Sequence, residues 1–237
     1  MSVVVVTGTG TGVGKTVVTA AVAALSLARG GRCAVVKPAQ TGVPVGGPGD
    51  LADVARLTGC ADLHELVRYP DPLSPAAAAR RSGRPALDQA AVVDVVLRLG
   101  DRDLVLVEGA GGLLVRYDDD GLTVAELART LRAPVLVVAS PALGTLNSTA
   151  LTLEAVAARG LTLVGVVVGA WPAEPGLAER SNLRDLETLA ARPLLGVLPD
   201  GAGALAPPAF LELARAGLAP QLGGTFDARA FRLAHEG

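Results

Sequence analysis

The stretch VVVVTGTGTGVGKT, residues 3–16, decides the fold. Its four consecutive valines predict a short strand buried on both faces, and an Ala- and Val-rich helical segment follows. Glycines between strand and helix let backbone N–H groups converge on a phosphate, and the helix start adds partial positive charge. Lys15 can reach the outer phosphates of a nucleotide and Thr16 can ligate magnesium. The pattern therefore predicts a nucleotide-binding loop.

The spacing of this loop departs from the general phosphate-loop pattern. Five residues separate Gly8 from Gly14, whereas G-x-x-x-x-G-K-[ST] allows four. The strand before the loop and the GKT that opens the helix still favour a phosphate site over a glycine-rich turn without a ligand.

Short apolar runs recur along the chain and predict five more buried strands, at residues 33–36, 104–107, 135–139, 164–168 and 194–198. Ala- and Leu-rich segments of helical length lie between them, at residues 16–29, 51–57, 89–99, 124–131 and 147–159. This alternation predicts right-handed crossovers and a mainly parallel, doubly wound α/β sheet with helices on both faces. We expect a single domain over residues 1–237, with ligands at the carboxyl ends of the strands.

Three segments are predicted to be largely irregular. Residues 42–49 and 69–75 are loops by composition, and the chain from Ala206 onward is rich in Pro and Gly. Within that last segment, only FDARAFRLAHE is expected to form one or two helical turns.

Composition limits the classes of function. Half of the residues are hydrophobic but only 3% are aromatic, so the core must be built from Val, Leu and Ala, which suits a covered parallel sheet. A net charge of -2 with scattered arginines gives no general attraction to nucleic acid or to a membrane surface. Cys33 and Cys60 lack metal-ligand spacing and are expected to be reduced core thiols. The VVVV run is too short for a signal peptide, so we expect a cytoplasmic protein.

Only two of the 21 cationic side chains are lysines, Lys15 in the phosphate loop and Lys37 in VVKPAQTG. A compact ammonium can approach a phosphate or carbamate oxygen as a point charge, whereas a planar guanidinium is too large for such a pocket. Both lysines are therefore interpreted as functional; the alternative is that lysine stands at these two positions by chance.

Two acidic residues stand at the ends of predicted elements: Glu108 at the end of a strand and Asp50 at the start of a helix. Glu108 ends the run LVLVE, where a buried carboxylate requires a cation such as the magnesium of a nucleotide; the alternative is a solvated strand end. Asp50 opens the helical stretch LADVARL, so the residues alone favour an N-cap.

Two further features leave alternatives open. The turn at residues 140–147, SPALGTLN, precedes a helix whose free N–H groups suit an anion such as a carboxylate, although an ordinary strand-to-helix turn is equally consistent. Trp171, the only tryptophan, is able to border a nucleobase or to pack in the core or on the surface.

The motifs TGTGTGVGKT, VVKPAQTG, DLADV, PLSPAAAA, LVEGAGGLLV and LGTLNST, in this order and at these intervals, resemble those of the dethiobiotin synthetase family. The resemblance extends from residue 1 to about residue 201 and includes the longer loop spacing. It implies a P-loop ligase that closes a cyclic urea on 7,8-diaminopelargonate with CO2, ATP and Mg2+, giving dethiobiotin, ADP and phosphate. It also implies a homodimer whose active sites use both subunits.

The resemblance carries over to individual residues. Those implied to bind nucleotide are Gly12, Val13, Gly14, Lys15, Thr16, Val17, Glu108, Gly109, Ala110 and Gly111, with Ala170, Trp171, Pro199, Asp200 and Gly201 around the base. Those implied to bind the diamine substrate are Thr41, Gly111 and Leu114, with Gly144, Thr145, Leu146 and Asn147 from the partner subunit. Implied catalytic residues are Thr11, Lys15 and Lys37, with Lys37 between carbamate and γ-phosphate. Implied magnesium ligands are Thr16, Asp50 and Glu108, which for Asp50 replaces the N-cap interpretation.

One departure from the family pattern bears on the nucleotide. Many members have Asn-Arg or a similar polar pair after the strand that here ends in GAWP. Without that amide contact to adenine, base selectivity is expected to be loose, and other nucleoside triphosphates become candidate co-substrates.

Two other P-loop classes remain as alternatives. A partition or cell-division type regulatory ATPase would carry an extra lysine early in the loop, where this chain has Gly10, and the acidic balance also counts against it. An amidoligase of the cobyrinic acid type would need a glutaminase domain, for which 237 residues leave no length.

Overall fold

The computed structural model describes residues 2–235 and is organised around a seven-stranded sheet. Its strands are β1 (Ser2–Gly8), β2 (Cys33–Thr41), β3 (Leu63–Tyr69), β4 (Leu104–Gly112), β5 (Val135–Ala139), β6 (Leu163–Trp171) and β7 (Gly196–Pro199). They lie in the order β3-β2-β4-β1-β5-β6-β7, and every neighbouring pair is parallel. The predicted parallel α/β sheet is confirmed.

The helices of the described residues are α1 (Lys15–Ala28), α2 (Asp50–Thr58), α3 (Pro75–Ser82), α4 (Gln89–Arg98), α5 (Val124–Leu131), α6 (Thr145–Ala158), α7 (Leu177–Ala190), α8 (Pro207–Gly217) and α9 (Ala228–His235). The chain runs from β1 through β2 to β3 towards one sheet edge, and from β4 through β5 and β6 to β7 towards the other. Because parallel crossovers are right-handed, α1 and α2 cover one face while α5, α6 and α7 cover the other. The sheet is therefore doubly wound, as predicted.

All six predicted strands are present, and several of them run further than their apolar cores. The strands β2, β4 and β6 continue to Thr41, Gly112 and Trp171, so they carry segments that the sequence had suggested for ligand binding. The strand β3 was not predicted, because LHELVRY mixes polar with apolar residues and has no apolar run longer than two residues. It lies at the edge of the sheet, where most of its residues are half-buried.

The irregular structure predicted from Ala206 onward is wrong over residues 207–217, which form α8. Proline is compatible with the first turn of a helix, where its missing N–H has no partner to lose. Phe210 and Ala214 on this helix are fully buried, and α8 packs against α1 and α2. Tertiary packing therefore outweighs the local Pro and Gly signal.

The core consists mainly of Val, Leu and Ala side chains, with β5 buried along its whole length. Cys33 and Cys60 are free and buried, as expected, and burial raises the pKa of Cys33 to about 12. Within residues 2–235, no helix is long and apolar enough to cross a membrane.

Candidate nucleotide and catalytic site

A cleft of about 820 Å³ lies at the carboxyl ends of β1, β2, β4, β6 and β7, where a doubly wound sheet binds its ligands. The predicted site residues that line it are Thr11, Gly12, Gly14, Lys15, Thr16, Val17, Lys37, Thr41, Asp50, Ala110, Gly111, Ala170, Pro199, Asp200 and Gly201. The structure thus brings most of the predicted nucleotide and catalytic residues to one place.

The phosphate loop between β1 and α1 is shaped by close backbone contacts. Gly14 has φ +91, and a Cβ atom there would lie 2.3 Å from the carbonyl oxygen of Gly169 on β6. A Cβ atom on Gly169 would in turn lie 2.1 Å from the carbonyl oxygen of Val13. The loop therefore rests directly on the end of β6, which only glycine permits at both positions.

The amino end of α1 faces the cleft. The amides of Lys15, Thr16 and Val17 have no hydrogen-bond partner among the described residues, as is usual in a first helical turn. Together with the helix dipole, these donors form an anion-binding site.

Lys37 is almost fully enclosed, with 3% of its side chain exposed. Its Nζ lies 2.7 Å from Oε1 of Glu108, contacts the carboxylate of Asp50, and donates to the carbonyl oxygen of Gly109 at 3.3 Å. Burial alone would lower the pKa of Lys37, but the carboxylates of Glu108 and Asp50 outweigh it and raise this pKa above its ordinary value. The ammonium is therefore held in its charged form.

Lys15 occupies a different electrostatic environment at the first position of α1. Its Nζ donates to the carbonyl oxygen of Gly10 at 2.8 Å. Burial and the nearby charge of Lys37 lower the pKa of Lys15 to about 8, although Glu108 and Asp50 act in the opposite direction. An anionic ligand in the cleft would favour the charged form of this lysine.

The predicted magnesium ligands converge on Glu108. Its Oε1 accepts from Thr16 Oγ1 at 2.8 Å, and its Oε2 is buried without a hydrogen-bond partner. An orphaned buried carboxylate oxygen is costly unless a cation meets it. Two carboxylates and a hydroxyl match the few protein ligands that Mg2+ takes beside phosphates and water, although no group of three or more His, Cys, Asp or Glu in residues 2–235 is arranged to hold a metal.

The N-cap interpretation of Asp50 is wrong. Asp50 is the first residue of α2, the cap position belongs to Gly49, and no side chain caps the helix. Its carboxylate instead contacts Lys37, because the carboxyl end of β2 and the amino end of α2 both lie at the cleft.

Two supporting residues were missed by the sequence reasoning. Gln40 Oε1 accepts the amide of Asp50 at 2.9 Å, and the fully buried Tyr117 hydroxyl accepts the amide of Ala110 at 2.8 Å. Burial raises the pKa of Tyr117 to about 12, so it stays a neutral phenol. Gln40 belongs to the motif VVKPAQTG that contains Lys37, so it was a possible candidate from the sequence. Tyr117 stands in RYDDDG, which matches no functional motif and gives no such signal.

The end of the cleft predicted for the nucleobase is lined by Ala170, Pro199, Asp200 and Gly201. The amide of Asp200 donates to the carbonyl oxygen of Trp171 at 2.7 Å, which joins the ends of β6 and β7. The Trp171 ring, only 6% exposed, lies outside this lining.

The Trp171 ring packs instead against α9. Its centroid lies 5.4 Å from that of Phe231 and 5.3 Å from that of His235, with edge-to-face geometry in both pairs. The expectation that its aromatic face borders a base therefore needs correction, because α9 covers the ring.

Other predicted residues also lie outside the cleft lining of this chain. They are Val13, Glu108 and Gly109, which are buried, and Leu114, Gly144, Thr145, Leu146 and Asn147. Gly144, with φ +94, occupies the N-cap position of α6, and the amides of Leu146 and Asn147 have no hydrogen-bond partner among the described residues. Within one chain, this helix start is not part of the site around Lys37.

Comparisons with known proteins identify relatives of the whole chain. A protein-family model described as an AAA domain matches residues 2–205. The ATP-dependent dethiobiotin synthetase BioD of Frankia casuarinae is 66% identical, with all of both chains covered. The protein of the same name from Streptomyces coelicolor is 55% identical, with 98% of each chain covered.

Solved structures agree with the fold. The cell division ATPase MinD of Pyrococcus furiosus superposes with a TM-score of 0.54 at 21% identity, covering 90% of this chain and 97% of its own. The septum site-determining protein MinD from Pyrococcus horikoshii, solved with Mg-ADP, gives a TM-score of 0.55 at 19% identity, covering 90% and 94%. At such identities the likeness concerns the P-loop fold alone. The full-length identity to curated relatives is what assigns this chain to the dethiobiotin synthetase family.

Proposed function

We propose that this protein is an ATP-dependent dethiobiotin synthetase, which closes the cyclic urea of dethiobiotin on 7,8-diaminopelargonate with CO2. The observation that carries the proposal is the convergence of two buried lysines, Lys15 and Lys37, with the carboxylates of Asp50 and Glu108 at the phosphate loop. Identity to curated dethiobiotin synthetases over the full chain supports the same reaction.

The reaction proceeds in three chemical steps. One amine of the substrate adds to CO2 and loses a proton, which gives a carbamate. A carbamate oxygen then attacks the γ-phosphorus of ATP, and ADP leaves. The second amine attacks the carbonyl carbon of the resulting carbamic-phosphoric anhydride, loses a proton and displaces phosphate, which leaves the cyclic urea.

Phosphoryl transfer needs positioning and charge stabilisation more than covalent help from the protein. Lys15 and the free amides at the start of α1 would hold the β- and γ-phosphates. Lys37, kept charged by its two carboxylate neighbours, would stabilise the negative charge shared by the carbamate and the transferred phosphoryl group. Thr11, within the phosphate loop, lines the cleft, where its hydroxyl can donate to the same anion.

Thr16, Asp50 and Glu108 would hold the magnesium ion that accompanies ATP. The orphaned Oε2 of Glu108 is the observation that favours a cation there. The chemistry that bound Mg2+ supplies is neutralisation of charge on the triphosphate. Because ATP is the co-substrate, we propose a cytoplasmic enzyme.

The substrate carboxylate would bind at the start of α6 in a second copy of the chain, so that the enzyme acts as a homodimer. The free amides of Leu146 and Asn147 suit a carboxylate, yet they lie outside the cleft around Lys37 in their own chain. Leu143, just before the N-cap residue of α6, and Leu151 on α6 are 89% and 58% exposed, which gives the same region apolar surface for a subunit contact. Thr41, Gly111 and Leu114 would line the substrate channel.

A product assay tests the reaction directly. The purified protein with 7,8-diaminopelargonate, bicarbonate, Mg2+ and ATP should form dethiobiotin and ADP in equal amounts, measured by mass spectrometry and by a coupled ADP assay. Release of ADP at the same rate without the diamine, and without dethiobiotin, would instead indicate a regulatory ATPase.

A mixing experiment tests the shared site. Lys37→Ala and Gly144→Trp homodimers should each be inactive, because each variant damages both sites of its dimer. After subunit exchange, half of the dimers are mixed and each has one intact site, so activity should recover to about one quarter of wild type. A mixture that stays inactive although mass spectrometry shows exchange would place the carboxylate site within one chain.

A further inference from the structure

The loop between β2 and α2 carries Asp50 to the cleft and has little structure of its own. Its residues 43–48, VPVGGP, contain no helix or strand. Val45 at its tip is 72% exposed. Such a glycine- and proline-rich segment needs outside contacts to keep one conformation, and its last residues decide where Asp50 points.

Arg68 on β3 supplies those contacts. Its Nη1 donates to the carbonyl oxygens of Pro44 at 3.2 Å and Gly47 at 2.5 Å. The other hydrogen bond in this segment, from the Gly47 amide to the Pro44 carbonyl, is internal to it. Across residues 2–235, every hydrogen bond between residues 43–48 and the rest of the described chain therefore comes from Arg68.

Glu65 fixes the guanidinium of Arg68 from the other side. Nε lies 2.6 Å from Oε1 of Glu65 and Nη2 lies 2.7 Å from Oε2, which is a bidentate pair. Both side chains are only about one-fifth exposed, at 21% and 20%. The guanidinium thus binds a carboxylate through Nε and Nη2 and donates to two loop carbonyl oxygens through Nη1. A lysine ammonium group cannot make this planar set of contacts.

The end of the loop is enclosed between Gln40 and Arg68. A Cβ atom on Gly49 would lie 2.8 Å from Gln40 Oε1 and 3.0 Å from Nη2 of Arg68. The next residue, Asp50, donates its amide to the same Gln40 oxygen at 2.9 Å and places its carboxylate on Lys37. The contacts of Arg68 and the contact between Asp50 and Lys37 are therefore joined by two residues of backbone.

We propose that Arg68, anchored by Glu65, is a positioning residue that holds residues 43–48 against β3 and thereby directs Asp50 to Lys37 and the magnesium ligands. The assignment of a magnesium role to Asp50 rests on the proposed function. Arg68 itself touches neither substrate nor nucleotide in this scheme, and it acts through the loop.

Hydrogen exchange measures the loop without any activity. In Arg68→Ala, exchange at the amides of Gly47 and Asp50 should rise at least about tenfold, because both are hydrogen-bonded in the anchored loop. Arg68→Lys should give an intermediate rise, since its ammonium meets only some of the acceptors. Arg129→Ala is the matched control: Arg129 pairs with Glu126 at the same three-residue spacing on α5 but is remote in sequence from the loop, and it should leave both amides unchanged.

Metal binding measures the consequence at the site. Mn2+ bound in the presence of ADP, followed by electron paramagnetic resonance, should show an affinity about tenfold weaker in Arg68→Ala, which is typical when a residue supporting a metal ligand is lost. The half-saturating Mg2+ concentration should rise similarly, with kcat at saturating Mg2+ within about threefold of wild type and the KM for the diamine unchanged.

The outcomes separate this inference from the proposed function. Faster loop exchange with unchanged Mn2+ affinity would overturn the positioning role, and unchanged exchange would overturn the anchor itself. If Arg68→Ala does not fold, Glu65→Gln and Arg68→Lys should still show faster exchange and weaker Mn2+ binding, and wild-type values in both variants would also overturn the inference. A wild-type protein that makes no dethiobiotin would contradict the proposed reaction, while the exchange and Mn2+ measurements would still decide the role of Arg68.

Discussion

The two ends of the cleft differ in the kinds of residue that line them. At the phosphate end, Lys15, Lys37 and Glu108 are buried charged side chains held by short hydrogen bonds. At the end predicted for the base, the lining includes Ala170, Pro199, Asp200 and Gly201, and the ends of β6 and β7 are joined there by a hydrogen bond between two backbone groups. The triphosphate is therefore expected to supply most of the binding energy of the nucleotide. The base end has few polar side chains that could distinguish one base from another, so it is expected to select mainly by shape.

The largest expected effect concerns Lys37 at the phosphate end. Lys37→Arg should bind ATP with wild-type affinity but lose at least about 100-fold in kcat, because a planar guanidinium does not fit between two carboxylates and the reacting phosphoryl group. Isothermal titration calorimetry and the product assay measure the two quantities. Full activity in Lys37→Arg would remove Lys37 from the mechanism.

Lys15→Ala provides the contrast at the same end of the cleft. Loss of a charged hydrogen-bond donor to the phosphates should weaken ATP binding about 10- to 100-fold as well as reduce turnover. If both variants lost binding equally, the two lysines would not have separate roles.

An intermediate effect is expected at the base end. CTP, GTP and UTP should support turnover within about tenfold of ATP, a gap of about 1.4 kcal/mol, since small residues line this end and a polar pair is absent from GAWP. Initial rates at subsaturating nucleotide decide this. A preference for ATP above about a hundredfold would show that the base end selects strongly.

The smallest effect on nucleotide binding is expected from α9, which packs behind the base end. Phe231→Ala should lower the free energy of unfolding by about 1–3 kcal/mol through loss of its contact with Trp171. It should change the Kd for ATP by less than about threefold, because neither ring lines the cleft. Denaturant unfolding and calorimetry measure both. Leu233→Ala, at a 60% exposed position on the same helix, is the control, and a large rise in Kd for Phe231→Ala would make α9 part of the site.

The same contrast explains what the sequence could predict. The phosphate end follows from local patterns: GTGTGVGKT, the lone lysines and the carboxylate after LVLV all stand at the ends of continuous apolar strands. The assignment of Asp50 to the proposed magnesium site comes from the resemblance to a known family and not from the spacing of the residues. The residues alone had favoured a helix cap, because a long-range contact with Lys37 leaves no local signal.

Features that depend on contacts distant in sequence were not predictable from local pattern. The strand β3, at the sheet edge, was missed because LHELVRY has no continuous apolar run, and the contacts of Arg68 with the loop were missed with it. Trp171 was correctly placed at the end of a strand, but only the packing of α9, about 60 residues further on, determines where its ring points. Helix α7 was likewise missed, because its sequence LAERSNLRDLETLA is rich in charged and polar residues.

The backbone contact between Gly14 and Gly169 has a consequence for protein engineering. Each glycine excludes a side chain on the other, so the separation between the phosphate loop and the end of β6 is set by two peptide backbones in contact. Attempts to redesign base preference by altering either position would displace the loop that is predicted to bind phosphate. Ala170 and Asp200 line the cleft beyond this contact. New side chains that recognise a base can be introduced at these two positions without displacing the loop between β1 and α1.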